Sequence, residues 1–126
     1  MSKYSILIFF ILFYSCSEEN DNFFETVNFG TTETLDIVTW NIENYPKQNE
    51  LTTEYVSNFI NSMNDVDVIA LQEISNQESF FNIISLLIDN GWEGFRSENT
   101  NNQELSFLIN TEHLNILSQP YEILSD

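Results

Sequence analysis

Two short apolar segments of the chain each end abruptly in polar side chains. Residues 35–44 alternate apolar and polar positions and carry Asn41 near their end, and residues 67–73 end in Gln72 and Glu73. Short apolar runs of this length, rich in Ile, Val and Trp, predict β-strands. The chain therefore presents two strands that finish in side chains able to bind a ligand.

The residues between these strands predict a helix with one buried stripe. The stripe consists of Leu51, Tyr55, Val56, Phe59, Ile60 and Met63. Strand, helix and strand in this order predict a right-handed crossover between two parallel strands. Since parallel strands end at the same edge of a sheet, we expect Asn41 and Glu73 to lie side by side. In open α/β sheets, ligands bind at that edge.

The pattern continues beyond Glu73. A second helix is predicted from a cap at Ser75 or Asn76 to a stop at Asn90 and Gly91, because glycine adopts the left-handed conformation that ends helices. Its apolar stripe comprises Phe80, Phe81, Ile84, Leu87 and Ile88. Further strands are predicted at residues 92–95, 105–109 and 114–117. We interpret Arg96 as an exposed hairpin side chain; the alternative is that it points into the ligand-binding cleft.

An amide and a carboxylate at one sheet edge suit phosphate chemistry. A carboxylate is a hard oxygen donor for Mg²⁺ or Mn²⁺. A neutral asparagine donates to a phosphate oxygen, or accepts from a metal-bound water, without adding negative charge. The alternative interpretation of Glu73 is a solvated loop carboxylate that follows a buried strand.

The segments Trp40-Asn41-Ile42-Glu43 and Val68-Ile69-Ala70-Leu71-Gln72-Glu73 resemble the first two motifs of the endonuclease/exonuclease/phosphatase superfamily, the deoxyribonuclease-I-like phosphodiesterases. The resemblance implies an α/β fold, a four-layered sandwich of two sheets flanked by helices, of which this chain would form the N-terminal half. It also implies that Asn41 is a catalytic-site residue beside the scissile phosphate. Glu73 would bind the essential Mg²⁺ or Mn²⁺.

Later motifs of that superfamily do not occur in the sequence. It has no Gly-Asp-x-Asn segment, and its single histidine, His113, has no aspartate before it. We assign His113 no catalytic role. Residues 35–126 are therefore expected to be a partial domain, truncated at its C-terminus and inactive by itself, while the general base would belong to a longer parent protein.

The first sixteen residues predict an export signal. Lys3 precedes a nine-residue apolar run at residues 6–14, and Ser15 and Cys16 follow. Residues 1–15 resemble a bacterial lipoprotein signal peptide, with Cys16 as the lipidated first residue of the mature chain. Alternatively, Cys16 is an incidental residue beyond an ordinary cleavage site. Residues 16–34 form an acidic linker, and the resemblance to bacterial lipoproteins implies a lipid-anchored protein of the bacterial outer membrane or cell surface.

The charge of the chain bears on its substrate. The chain contains three basic residues (Lys and Arg together) and 20 acidic residues (Asp and Glu together), which gives a net charge of −17. Tight duplex binding normally requires a basic face, so smaller phosphate esters remain open beside nucleic acid. Two functions follow: a metal-dependent hydrolase of phosphate esters, or a non-catalytic surface lipoprotein that binds a ligand or partner with the same scaffold. No protein partner is predicted, and the membrane is contacted only through the lipid anchor.

Overall fold

A mixed four-stranded β-sheet with two helices makes up the described part of the chain, which comprises residues 27–48, 50–97 and 104–121 of this computed structural model. The fold class is α/β, as predicted. Residues 1–26, which include the predicted signal peptide, Cys16 and most of the linker, lie outside the described residues. None of the helices in the described ranges is both long and apolar enough to cross a membrane.

The described residues form six strands and two helices. The strands are β1 (Val27–Asn28), β2 (Ile37–Tyr45), β3 (Met63–Asn64), β4 (Val68–Ile74), β5 (Trp92–Arg96) and β6 (Glu104–Asn110). The helices are α1 (Glu50–Ser62) and α2 (Gln77–Leu87), and a 3₁₀ turn (Ile88–Asn90) extends α2. The main sheet has the order β2-β4-β6-β5, while β1 and β3 form a separate parallel pair.

The predicted parallel pairing of two strands joined by a helix is confirmed. Strands β2 and β4 are parallel neighbours joined through α1, and their register runs from Ile37 opposite Val68 to Asn41 opposite Gln72. Strand β6 is antiparallel to both β4 and β5. Strands β2, β4 and β5 therefore point the same way, so their carboxyl ends share one edge of the sheet.

Helix α2 begins and ends where the sequence predicts. Asn76 is the N-cap, and its side-chain Oδ1 accepts a hydrogen bond of 2.8 Å from the backbone N–H of Ser79. Ser75 instead donates from its hydroxyl to the carbonyl of Tyr45, which ties the end of β4 to β2. Gly91 ends the 3₁₀ turn with φ of 78°, a left-handed conformation that favours glycine.

The predicted strand at residues 114–117 is wrong. The chain turns after β6, because the backbone N–H groups of His113 and Leu114 both donate to the carbonyl of Asn110. Strand β6 is already paired on both sides, by β4 and β5, so it offers no free edge to a following segment. Leu117 is 95% exposed as a result.

Both helices pack on one face of the main sheet. Trp40 of β2 contacts Phe59 of α1 edge to face at 5.3 Å between ring centroids. The buried core consists of Tyr45, Val56, Ile60, Met63, Val66, Ile69, Leu71, Ile74, Phe80, Ile83, Leu87, Trp92 and Leu108. Alternation places Ile37 and Leu105 on the opposite face, where they are 58% and 65% exposed. The described residues thus form two layers, helices on sheet, with one sheet face uncovered.

Candidate metal and phosphate site

The two residues singled out by the sequence motifs touch each other. Asn41 lies opposite Gln72 in the β2–β4 register, one position before Glu73. Its side-chain Nδ2 donates a hydrogen bond of 2.7 Å to Glu73 Oε1, although the two residues are 32 positions apart in the chain. The crossover therefore brings both motif residues to the same edge of the sheet, as predicted.

The backbone around this pair has an unusual conformation. Glu43, Asn44 and Glu73 have φ angles of 43°, 53° and 64°, in the left-handed region that residues other than glycine rarely adopt. The β2–β4 register also shifts between Asn41 and Tyr45, where β2 advances four residues against two in β4, so β2 bulges where it ends. Such irregularities are common beside functional sites, where they redirect side chains.

The bulge directs backbone donors at both motif side chains. The N–H of Asn44 donates to Glu73 Oε2 at 3.0 Å, and the N–H of Glu43 donates to Asn41 Oδ1 at 2.8 Å. Each oxygen of Glu73 therefore accepts one hydrogen bond. A carboxylate oxygen has two lone pairs, so each Glu73 oxygen can also bind a cation.

A surface ion pair stands next to the site. Lys47 Nζ lies 2.7 Å from Glu43 Oε2, and the two side chains are 51% and 72% exposed. The hydrogen bond from Lys47, together with its positive charge, lowers the pKa of Glu43 below its ordinary value. Lys47 is thus paired with Glu43, and the surroundings of Asn41 and Glu73 carry no surplus positive charge from it.

The donor atoms at this edge suit a hard divalent cation. Within the described ranges, no three His, Cys, Asp or Glu side chains come together as a preformed metal cage would require. Mg²⁺, however, commonly uses one or two carboxylates and completes its shell with waters and substrate phosphates. The carboxylate of Glu73 fits that mode of binding, and the side-chain carbonyl of Asn41 is the neighbouring oxygen donor.

His113 lies at the other end of the sheet. Its Nδ1 is 3.1 Å from Oδ1 of Asp67, whose Oδ2 accepts the backbone N–H of Asp36 at 2.7 Å. Asp67 comes just before β4 and Glu73 near its end, so at the rise of a strand the two sites are about 20 Å apart. No sequence motif predicts this pair, because His113 and Asp67 are 46 positions apart.

The prediction of an exposed Arg96 is wrong. Its side chain is only 14% exposed, and Nη1 lies 2.7 Å from Oε2 of Glu104, which is 9% exposed. Arg96 is opposite Ser106 in the β5–β6 register, on the face that the helices cover. Alternation along β6 puts Glu104 on the same face, which buries both charges together.

Comparison with protein-family models, with curated proteins and with solved structures finds no match for this chain.

Proposed function

We propose that this chain carries the cation-binding and phosphate-orienting part of a metal-dependent hydrolase of phosphate esters, of the endonuclease/exonuclease/phosphatase kind. The observation that supports the proposal is the hydrogen bond of 2.7 Å between Asn41 and Glu73. Two short motifs that resemble one superfamily meet where that superfamily would place its reacting phosphate. In the complete four-layered sandwich that we propose, a second sheet would pack against the uncovered face.

The two side chains have different roles in this proposal. Glu73 holds Mg²⁺ or Mn²⁺, and the bound cation supplies charge stabilisation at a phosphoryl oxygen. Asn41 orients the phosphate by donating from Nδ2, the group that donates to Glu73 Oε1 in this structure. The backbone N–H of Asn44, at 3.0 Å from Glu73 Oε2, fixes the carboxylate so that its geometry is set before substrate arrives.

The general base is not His113 in this proposal. That side chain pairs with Asp67 at the far end of β4. A histidine contributed from outside this chain would take the proton from the attacking water. The described residues thus account for binding and orientation, and we expect no turnover from this chain alone.

The charges in the described part favour small substrates over polymers. Lys47 is paired with Glu43, and Arg96 with Glu104. The chain as a whole has a net charge of −17, which repels a polyanion such as duplex nucleic acid. A phosphomonoester or small phosphodiester brings less negative charge to the site.

We also propose that Cys16 anchors the protein to a bacterial membrane through attached lipid. The apolar run at residues 6–14 and the acidic residues after Cys16 support this proposal. The site would then face the exterior of the cell or the periplasm. A non-catalytic surface protein would share this anchor. The hydrolase and the non-catalytic binding protein are therefore distinguished by whether Glu73 binds a cation.

Titration with Mn²⁺ tests the role of Glu73 directly. Paramagnetic broadening of amide signals in NMR spectra reports the place and affinity of binding. Wild-type protein should show broadening centred on Asn41, Asn44 and Glu73. The Glu73→Gln variant keeps the shape and removes the charge, and should bind at least about tenfold more weakly, since even indirect partners of a metal ligand contribute that much.

Glu43→Gln is the matched control, because it makes the same change in an exposed carboxylate two positions from Asn41. It should leave Mn²⁺ affinity unchanged. Equal affinity of the wild type and Glu73→Gln would refute the metal assignment. Such a result would favour the alternative function, a scaffold in which the hydrogen-bonded Glu73 only holds β2 and β4 together.

A further inference from the structure

A polar cleft lies at the opposite end of the sheet from the Asn41–Glu73 pair. It opens where β5 begins and β6 ends, beside the last turn of α1. Its volume is about 430 Å³, within the range of small-molecule sites in proteins. Six of its lining side chains are amides or carboxylates: Asn61, Asn64, Asn90, Asn110, Asp65 and Glu112. Among the described residues, no lysine or arginine lines this cleft.

Asn110 supplies a hydrogen-bond donor to the cleft. The residue is 9% exposed, and its Oδ1 accepts a hydrogen bond of 3.0 Å from the backbone N–H of Glu112. That contact fixes the orientation of the amide, because Nδ2 cannot accept from an N–H group. Within the described ranges Nδ2 has no hydrogen-bond partner, and it is not sealed from its surroundings. A donor on so buried a side chain calls for a water or a ligand.

The other walls of the cleft disfavour two kinds of ligand. Trp92 lies directly opposite Asn110 in the β5–β6 register and is 4% exposed, so it offers no open ring face on which a flat aromatic ligand could stack. The carboxylates of Asp65 and Glu112, together with the net charge of −17, repel an anion. The ligand that fits is therefore neutral and not flat.

The remaining side chains offer donors and acceptors together. Asn90 Nδ2 donates to Asn61 Oδ1 at 2.8 Å, which leaves the Asn61 amide a donor and the Asn90 amide an acceptor for a ligand. Nδ1 of His113 is 3.1 Å from Oδ1 of Asp67, so Nε2 is the ring nitrogen left for a ligand. A hydroxyl group can both donate and accept, and several hydroxyls on one molecule suit this mixed lining.

We propose that this cleft binds a neutral sugar, whose hydroxyl groups hydrogen-bond to Asn110 Nδ2 and to the amides of Asn61 and Asn90. Its hydroxyl groups also donate to the carboxylates of Asp65 and Glu112 without bringing a negative charge to them. This assignment is independent of the proposed hydrolase function, and it needs no cation at Glu73.

The two tryptophans of the chain give two indole N–H signals in a ¹⁵N-correlated NMR spectrum. Trp92 lines the cleft, whereas Trp40 packs against Phe59 and serves as the internal control. The variant Trp40→Phe assigns the two signals. The probes are the methyl glycosides of glucose, galactose and mannose, each at millimolar concentration. At least one of them should move the Trp92 signal and leave the Trp40 signal in place.

Two further compounds test the chemistry of recognition. The first is 2-methoxytetrahydropyran, which has the same ring without the hydroxyl groups. It should bind about tenfold or more weakly than the best glycoside, the loss expected for two or more hydrogen bonds. The second is the methyl glycoside of glucuronic acid, which adds a carboxylate and should bind more weakly than the neutral glycoside.

Three variants locate the site. Asn110→Ser removes the Nδ2 donor but keeps an oxygen that can accept from the N–H of Glu112, and it should bind the best glycoside about threefold or more weakly. Asn61→Ala removes an exposed amide of the cleft and should also bind it more weakly. Asn58→Ala is the matched control, because Asn58 is exposed on α1 one turn earlier and does not line the cleft. It should bind the glycoside normally.

Three results would overturn the proposal. The first is a Trp92 signal that none of the three glycosides moves, as expected if an ordered water satisfies Asn110 Nδ2. The second is binding of 2-methoxytetrahydropyran or of the glucuronide as tight as that of the best glycoside, or a response to Ca²⁺ in place of the glycosides, which would make the cleft a cation site. The third is a glycoside affinity of Asn110→Ser or Asn61→Ala equal to that of Asn58→Ala.

Discussion

Two ion pairs of equal length in this protein should differ widely in what their loss does to stability. Arg96–Glu104 and Lys47–Glu43 both have an N–O distance of 2.7 Å. The first pair is 14% and 9% exposed, and the second is 51% and 72% exposed. Replacing the glutamate of each pair with glutamine removes the same charge and keeps the same shape. Burial is then the main variable that changes.

Glu104→Gln leaves the charge of Arg96 buried without its counter-ion. Removing one member of a buried pair typically costs 3–5 kcal/mol, and we expect about 3 kcal/mol here, because glutamine can still accept from Arg96. With a urea dependence of about 1.5 kcal/mol per molar, the midpoint of unfolding should fall by about 2 M. Trp92, which is 4% exposed and lies on β5 with Arg96, provides the fluorescence signal together with Trp40 of β2.

Glu43→Gln should leave the urea midpoint unchanged within error, because solvent screens the exposed pair. The double variant Arg96→Met with Glu104→Gln removes both charges and should regain much of the stability lost in Glu104→Gln alone. Equal midpoints for Glu104→Gln and Glu43→Gln would refute the reasoning. So would a double variant that is less stable than Glu104→Gln.

Two further predictions concern packing and export. Gly94→Ala would place a Cβ 2.0 Å from Cδ1 of Ile84, and we expect it to lower stability by about 1–3 kcal/mol. Ile84→Val removes that Cδ1 and should recover part of the loss in thermal unfolding, whereas an unchanged melting temperature for Gly94→Ala would contradict the crowding. Cys16→Ala should abolish incorporation of a fatty-acid analogue in a bacterial host, and equal labelling of both proteins would refute the lipid anchor.

The sequence predicts the pairing of β2 with β4 well, because the two strand patterns and the helix pattern between them agree. The helix stripe between the strands excludes a tight hairpin and favours the parallel arrangement of β2 and β4. Parallel strands with a fixed register leave little freedom at their ends, which is why the sequence predicts that Asn41 and Glu73 lie together. Asn76 was predictable for a similar local reason, as a capping side chain three residues before the N–H that it accepts.

The failures have a different origin. Residues 114–117 have a strand-like composition, but pairing depends on whether a sheet edge is free, and β6 has none. Arg96 looked like a hairpin side chain because its partner, Glu104, lies on the next strand beyond a polar loop. The alternation of residues along a strand shows which sheet face a side chain occupies only when the strand register is known. No motif in the sequence determines the register of β5 with β6.

The conformation of the site backbone was also beyond sequence analysis, and it strengthens the case for a functional Glu73. Glutamate has no special tolerance for positive φ, and a left-handed residue other than glycine costs about 1–2 kcal/mol. Glu73 nevertheless adopts φ of 64°, and its carboxylate is fixed by Asn41 and by the N–H of Asn44. Glycine would satisfy that backbone at no cost but would supply no carboxylate. A strained glutamate held by two hydrogen bonds is the arrangement that the proposed function requires, a rigid carboxylate at this edge of the sheet.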